Sequence, residues 1–366
     1  MNNRTCADRL VAVLGYPQLV NGWNAGQWSE LVATARYFNL LGSLSVRFKE
    51  AGVCVPGYAL RHLTGAQQLS ERQHRSVLWE VHQLQTALGQ IQVPVLLLKG
   101  SAYVMAGYAV GRGRLFGDID ILVPRNALGD VESQLMLNGW VSAKTSAYDQ
   151  RYYREWMHEI PPMRHMRRST VIDVHHTILP LTARYSPDPS KIISRALPVL
   201  DPCLAVIRVP CQEDLVIHSI THLVHEGELH NGLRDLNDID CMLRNFEIDP
   251  GFWDRLCANA IDNDLSWPVL FGLQLVKRVF DTPVPVTVLN QLTQANQQKP
   301  SSWLLAIFDR ALRSNYGNSQ DIAAMTAQWL VYVRSHILRM PLHLVLPHLA
   351  RKAWMRRFPK KNQTSG

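Results

Sequence analysis

The sequence predicts an α+β protein in which a strand-rich middle is flanked by helical regions on both sides. Apolar residues recur at helical spacing from about residue 8 to 90, as in Leu78, Val81 and Leu84. Apolar and acidic residues alternate in 115–123 and again in 170–175, which is typical of β-strands. From residue 212 onward the helical spacing returns. The prediction is therefore helices, a mixed core with a small sheet, and helices again.

At 366 residues the chain is long enough for two or three domains. Pro94 is expected to end the long N-terminal helix, and prolines between 198 and 210 mark a second boundary. The predicted divisions are an N-terminal helical region (1–92), a catalytic core (93–205), a C-terminal helical domain (206–358) and a flexible basic and polar tail (359–366). In the core we expect strands at 95–99 and 115–123, helices at 102–110 and 127–138, and further strands within 141–176.

Composition excludes global disorder, because 47% of the residues are hydrophobic and only 19% are charged. The formal net charge of +8 favours an anionic partner such as a nucleotide, a nucleic acid or a phospholipid surface. Six scattered cysteines indicate neither a disulfide framework nor a zinc site, and a reducing cytoplasm is the expected location. The N-terminus lacks the apolar core of a signal peptide, and polar residues and prolines interrupt the apolar stretch 323–349.

Three carboxylates carry the strongest functional signal. Asp118 and Asp120 are two apart on a predicted strand, so they should project from the same face, and Asp173 lies on a later strand. Like charges so close repel one another, and divalent cations between them offset that repulsion. Three such acids can hold two Mg²⁺ ions, for which Mn²⁺ can substitute, in a site suited to in-line displacement at phosphorus.

A phosphate site is predicted just upstream. Lys99 ends an apolar strand, and Gly100-Ser101 form a turn before a helix, where free N–H groups and a close backbone approach favour a phosphate. Arg112 and Arg114 precede the double-Asp strand and can supply further phosphate-binding charge. A strand, a glycine turn and a helix are common in other contexts, so the combination with the acids is what carries the prediction.

The stretches 95–101, 114–123 and 172–175 together resemble the uncharacterised bacterial nucleotidyltransferases of the DNA polymerase β-like superfamily. The resemblance spans roughly residues 60 to 245. It implies a nucleotidyltransferase core in which Asp118 and Asp120 bind both metals, and Asp173 binds the catalytic metal and helps to deprotonate an acceptor hydroxyl. Sixteen residues separate Ser101 from Asp118, more than in the better-known members, which leaves the role of Ser101 beneath the triphosphate open.

Several histidines and charges have two interpretations. Strand parity puts His175 on the face of Asp173, where it could contact the acceptor or simply end a strand with a hydrogen bond, while His176 faces away. His218, His222 and His225 share one helix face, and packing against the core or contact with a nucleotide base is favoured there over a metal site. The run from Arg234 to Asp240 is expected to be a solvated helix face with an Arg234–Asp238 pair, and the alternative is that one of its acids reaches the cleft.

The leading hypothesis is a Mg²⁺-dependent enzyme that moves a nucleoside monophosphate from an NTP to a hydroxyl acceptor with release of pyrophosphate. The acceptor is open between a small molecule, a natural product, a protein and RNA. One alternative is a glycosyltransferase that holds a nucleotide sugar through Asp-x-Asp, and another is a catalytically idle scaffold protein. The basic C-terminus, with Trp354 and Phe358, could touch anionic lipid weakly, although a solvated tail is the default.

Overall fold

A computed structural model describes residues 3–144, 146–314 and 321–341. The predicted tail 359–366, the end of the predicted C-terminal domain and the lipid contact of Trp354 and Phe358 lie outside the described residues. None of the described helices is both long and apolar enough to cross a membrane.

Four helices form the N-terminal region: α1 (Asn3–Gly15), α2 (Ala25–Tyr37), α3 (Leu41–Glu50) and α4 (Gly57–Leu88). Helix α2 begins with a capping box, in which Asn24 and Gln27 each accept a hydrogen bond from the other's backbone N–H. Helix α4 ends at Leu88, several residues before Pro94, because Gly89 starts a 3-10 turn. The helical region is confirmed, and the prediction that Pro94 itself ends the helix is wrong.

The core contains one seven-stranded mixed sheet with the strand order β3-β4-β5-β2-β1-β7-β6. Its elements in chain order are β1 (Val95–Leu97), α5 (Lys99–Met105), β2 (Ile119–Leu122), α6 (Leu128–Leu137), β3 (Trp140–Ser142), α7 (Ala147–Trp156), β4 (Met163–His165), β5 (Val171–His175), α8 (Pro189–Ser194), β6 (Leu197–Pro198) and β7 (Ile207–Val209). Strands β1, β2 and β5 are mostly apolar and lie in the middle of the sheet, which explains their burial.

The register of two central strands positions the acidic residues. Strand β2 runs parallel to β5, and Asp120 is the direct partner of Asp173. Neighbouring strands lie about 4.8 Å apart, so this register fixes the two carboxylates side by side although they are distant in sequence. On its other side β2 pairs antiparallel with β1, with Leu96 opposite Leu122.

Seven helices complete the described chain: α9 (Gln212–His225), α10 (Gly232–Phe246), α11 (Phe252–Asp262), α12 (Ser266–Phe280), α13 (Val286–Asn296), α14 (Ser302–Leu312) and α15 (Ile322–Arg339). Helices α9 and α12 pack closely, since a Cβ at Gly272 would lie 2.3 Å from the Ile220 side chain. The α+β class is confirmed.

Two local predictions are wrong. Asp118 does not belong to the strand, because ladder pairing with β5 starts at Ile119. The helix predicted from residue 102 begins at Lys99, so Gly100 and Ser101 lie in its first turn. Lys99 adopts a left-handed backbone with φ +46°, which lets the chain turn directly from β1 into α5.

The loop between α5 and β2 is held by the N-terminal helices. On α4, the Gln73 side chain accepts a hydrogen bond of 2.8 Å from the backbone N–H of Phe116, and His74 Nε2 lies 2.6 Å from the Gly111 carbonyl oxygen. Gly42 of α3 lies so close to Gly113 that a Cβ there would be 2.1 Å from the Gly113 carbonyl oxygen. This contact joins the helical region to the loop that leads to Asp118.

We expect Gly42→Ala to destabilise the protein by about 1–3 kcal/mol, because the added methyl group forces the loop away from α3. Gly65→Ala is the matched control, since its Cβ meets nothing within 4 Å in helix α4, and it should stabilise by about 0.5–1 kcal/mol. Urea unfolding of both variants measures the difference. Equal stability changes would show that the Gly42 contact does not constrain the loop.

Candidate active site

The acidic side chains lie at the end of the sheet where β2 begins. Asp118 immediately precedes β2 and is exposed, Asp120 lies within β2 and is buried, and Asp173 in β5 is partly buried. The pKa of Asp118 is raised, first because its carboxyl is partly desolvated by the surrounding protein and then because of the negative charge of Asp120.

Asp120 is the one acid of the three with strong partners. Lys99 Nζ lies 2.8 Å from its Oδ1, and His175 Nε2 lies 3.0 Å from the same oxygen. Burial opposes ionisation of Asp120, but the charges of Lys99 and His175 outweigh it and hold the pKa of Asp120 well below its ordinary value. Burial likewise opposes the charged form of Lys99, yet Asp120 raises the Lys99 pKa.

Asp173 has the opposite environment. Burial first, and then the charges of Glu159, Asp120 and Asp118, raise the pKa of Asp173 to about 7. Its Oδ1 is buried and has no hydrogen-bond partner among the described residues. A buried carboxylate oxygen without a donor is costly, which is the state expected of an oxygen that accepts a bond from a bound group.

A fourth carboxylate, Glu159, joins the cluster, and the sequence analysis missed it. Its Oε2 lies 3.5 Å from His175 Nε2, and its backbone forms an isolated antiparallel bridge with His175. Burial raises the pKa of Glu159, and Asp120 and Asp118 add to the effect. The short segment His158-Glu159 follows α7 and shows no strand alternation, so no sequence pattern places it beside β5.

A cavity of about 400 Å³ opens beside these acids. Its wall contains the carboxylates of Asp118, Asp120, Asp235 and Asp238 and the cationic side chains of Lys99, Arg114 and Arg234. The wall therefore carries one more carboxylate than cationic groups. Asn39 and Asn231 line the far part of the cavity and hydrogen-bond each other at 2.8 Å.

Arg114 reaches the cavity but is committed to acids of α10. Its Nε donates to Asp238 Oδ2 at 2.6 Å, and its Nη2 lies 3.5 Å from Asp235. Arg234 pairs with the adjacent Asp235 at 2.7 Å. The expectation of a solvated α10 face with an Arg234–Asp238 pair is thus wrong. Asp238 is 2% exposed because it neutralises the buried Arg114.

The other predicted phosphate ligands lie in different places. Gly100 lines the cavity, and a Cβ there would lie 2.2 Å from the Phe116 ring and 2.6 Å from Arg114 Nη1, so glycine permits that packing. Ser101 is buried, and its hydroxyl donates to the Leu98 carbonyl at 2.9 Å. Arg112 is exposed and pairs with Glu50 at 3.0 Å. The side chains of Ser101 and Arg112 are not part of the described cavity wall.

Of the three histidines of α9, His218 and His225 are buried, whereas His222 is partly exposed. Burial lowers the pKa of His218 to about 3 and that of His225 to about 4, and it lowers the His222 pKa well below its ordinary value. His225 Nδ1 lies 2.8 Å from the Thr221 carbonyl. Within the described part of the chain these imidazoles do not form a compact set of ligand atoms, whereas His222 lines the cavity.

His175 and His176 point to different surroundings. His175 lies against Asp120, whereas His176 lines a separate, smaller cavity that includes Arg125. The structure therefore brings five of the predicted residues to the cavity wall: Lys99, Gly100, Arg114, Asp118 and Asp120. Asp173 and His175 lie beside Asp120 without lining the described cavity, and the Ser101 and Arg112 side chains are not part of its wall either.

The donor set fits a hard divalent cation. Mg²⁺ prefers carboxylate oxygens and usually keeps several waters. Asp118 and Asp120 present such oxygens to the cavity, and Asp173 lies beside Asp120 on the neighbouring strand without lining the described cavity. The partnerless Oδ1 of Asp173 and the raised pKa of its carboxyl both fit a cation. Asp120 Oδ1 already has two partners, whereas its Oδ2 has no hydrogen bond from any described residue.

The fold is thus a mixed sheet with clustered acids at one end, beside a cavity lined by acidic and cationic side chains. The family model for an uncharacterised nucleotidyltransferase matches residues 24–281. Because the match covers more than half of the chain, the protein belongs to this nucleotidyltransferase family. The matched range runs from α2 to the end of α12, so the flanking helices belong to the family's unit as well as the sheet. No curated protein matches the chain.

Asp173→Asn should change the pH dependence of stability in the metal-free protein. The folded-state pKa of about 7 lies above the ordinary 3.8, so the unfolded chain loses this proton first, and stability falls as pH rises through that window. The variant has no ionisable carboxyl group at residue 173, so its stability does not fall for this reason. We therefore expect its stability relative to the wild type to be higher at pH 8 than at pH 5.

Urea unfolding in a chelator at both pH values measures the difference. Asp130→Asn changes an exposed residue in the first turn of α6, and its free energy of unfolding should differ from that of the wild type by the same amount at both pH values. If the difference for Asp173→Asn also did not depend on pH, it would contradict the crowding of carboxylates described above.

Proposed function

We propose that the protein is a Mg²⁺-dependent nucleotidyltransferase that moves a nucleoside monophosphate from an NTP to a hydroxyl acceptor and releases pyrophosphate. The observation that carries the proposal is the parallel register of β2 and β5, which pairs Asp120 with Asp173 next to Asp118. Membership of a nucleotidyltransferase family supports the reaction class.

Asp118, Asp120 and Asp173 would hold two Mg²⁺ ions, and Mn²⁺ can take their place. When bound, the ions supply positive charge that activates the attacking oxygen and neutralises the leaving pyrophosphate. The net negative charge of the cavity wall supports the need for these cations. Its wall has one more carboxylate than cationic side chains, so it would repel a triphosphate that arrived without cations.

Lys99, Gly100 and Arg114 are the proposed contacts of the triphosphate, since all three line the cavity beside the acids. Lys99 pairs with Asp120, and its flexible side chain can turn from that carboxylate to a phosphate oxygen. Arg114 is held by Asp238 and by the rings of Tyr103 and Phe116, which fixes its guanidinium at the cavity wall.

The reaction needs a base for the acceptor hydroxyl. In the proposed step the acceptor oxygen forms a bond to the α-phosphorus while the bond to the β-phosphate oxygen breaks, and the hydroxyl proton passes to Asp173. A carboxylate whose pKa is raised toward neutrality is suited to accept this proton. We propose that His175, held between Asp120 and Glu159, contacts the acceptor from the same face.

The acceptor is a small molecule, a natural product, a protein or an RNA end. RNA would make binding fall steeply with salt, because several phosphates release counterions, whereas a small acceptor would show little salt dependence beyond that of the NTP. A nucleotide-sugar glycosyltransferase and an idle scaffold are disfavoured, because the family is one of nucleotidyltransferases and all three acids are present.

The first test incubates the protein with each α-labelled NTP, Mg²⁺ and cell extract, and then identifies what becomes labelled. Asp118→Ala/Asp120→Ala should reduce label transfer by on the order of a hundredfold or more, because it removes groups that hold transition-state charge. Asp130→Asn should transfer label at the wild-type rate. Full transfer by the double variant would refute the proposed site.

A second test separates the two basic residues that the sequence placed near phosphate. Lys99→Met should raise KM for the NTP by about tenfold or more, since it removes a charged contact. Arg112→Met should leave KM unchanged, because Arg112 is exposed and pairs with Glu50. A raised KM in Arg112→Met with an unchanged KM in Lys99→Met would contradict the proposed phosphate path. Circular dichroism of Lys99→Met checks that the fold is intact.

A further inference from the structure

A compact group of nitrogen and oxygen donors lies beside the three aspartates. It consists of His158, Glu159 and His175, and one ligand atom from each of the three lies within 4.8 Å of the others. The group is distinct from the aspartate set because it includes two imidazoles, and nitrogen donors favour transition metals over Mg²⁺.

The backbone fixes these residues relative to one another. Residues 158–160 run beside β5, where the Ile160 N–H donates to the Val174 carbonyl at 3.0 Å and the His176 N–H donates to the His158 carbonyl at 2.9 Å. Because Glu159 and His175 are bridge partners, their side chains lie on the same face. The donors are therefore held in place before any ion binds, which lowers the cost of binding.

The spacing of the donors fits a tetrahedral ion. His175 Nε2 lies 3.5 Å from Glu159 Oε2 and 3.0 Å from Asp120 Oδ1. Ligands about 2.0–2.2 Å from a tetrahedral zinc ion are about 3.4 Å apart, so these separations match the edges of such a site. The ring centroids of His158 and His175 are 5.1 Å apart, and a ring nitrogen of His158 lies within 4.8 Å of the donor atoms of His175 and Glu159.

The hydrogen bonds of His158 are incomplete. Nδ1 of His158 is buried and has no partner among the described residues, and His175, whose Nε2 faces Asp120 and Glu159, is only 3% exposed. Histidines that serve only to pack a strand end are normally satisfied, so this unpaired ring nitrogen calls for an explanation. Glu159 keeps a side-chain exposure of 16%, which leaves a path for an ion from solvent.

We propose that His158, Glu159 and His175 bind one Zn²⁺ ion, with Asp120 Oδ1 as the fourth ligand. This site goes beyond the proposed transfer reaction and does not rest on it, but it shares Asp120 and His175 with the proposed active site. The ion replaces the proton on His175 Nε2, which lies between the carboxylates of Asp120 and Glu159. It also takes over the neutralisation of Asp120, so Lys99 is released from Oδ1 to face the cavity.

The test uses Co²⁺ as a spectroscopic probe for the zinc site, with the full chain, excess Mg²⁺ and no nucleotide. Wild-type protein should bind one Co²⁺ and show the strong visible absorption of a four-coordinate ion, which an octahedral oxygen site does not give. His158→Gln and Glu159→Gln should weaken binding by about 10–100-fold or more. His176→Gln, which changes the neighbouring histidine on the other face, should bind as the wild type does.

Two further variants make the outcome decisive. His158→Cys should restore binding and add a thiolate-to-cobalt absorption band, which a purely structural role for His158 would not produce. Asp118→Asn should retain the ion, because it belongs to the aspartate set. The proposal is overturned if the wild type shows no four-coordinate spectrum, or if Asp118→Asn loses the ion while His158→Gln keeps it. Since no nucleotide is present, failure here leaves the transfer reaction unaffected.

Discussion

The crowding of negative charge where β2 meets β5 is the constraint on which the rest of the site depends. The parallel register fixes Asp120 beside Asp173, and burial together with the charges of Glu159, Asp120 and Asp118 raises the pKa of Asp173 to about 7. Lys99 and His175 offset this charge at one oxygen of Asp120. The strained backbone of Lys99, with φ +46°, is tolerated because it delivers the ammonium group to that oxygen.

The flanking helices are part of this site and do more than enclose the sheet. Helix α4 holds the loop before β2 through Gln73 and His74, and α10 neutralises Arg114 through Asp238. Because the loop ends at Asp118, the geometry of the exposed carboxylate depends on packing far from the sheet. The family match, which begins within the N-terminal helices, agrees with this dependence.

The sequence predicted the parts of the site that follow from strand periodicity. Alternation in 115–123 placed Asp118 and Asp120 on one face of their strand, and alternation in 170–175 placed Asp173 and His175 on one face of theirs. It could not give the register between strands, and it extended β2 to include Asp118, because local pattern does not show where ladder pairing begins. Glu159 and Asp238 were not predicted as site residues for a related reason, because tertiary packing supplies their neighbours. Asp238 was expected on a solvated face of α10, but it is buried against Arg114.

The hydrogen bond between Asn39 and Asn231 joins two residues of the cavity wall that lie far apart in the chain. A protein is synthesised from its N-terminus, so the ribosome must release all of the sheet and the start of α10 before this wall exists. A nascent chain that stops earlier exposes the carboxylate cluster without its enclosing wall. Assembly of the pocket is thus a late event in biosynthesis, and stalled or truncated products lack it.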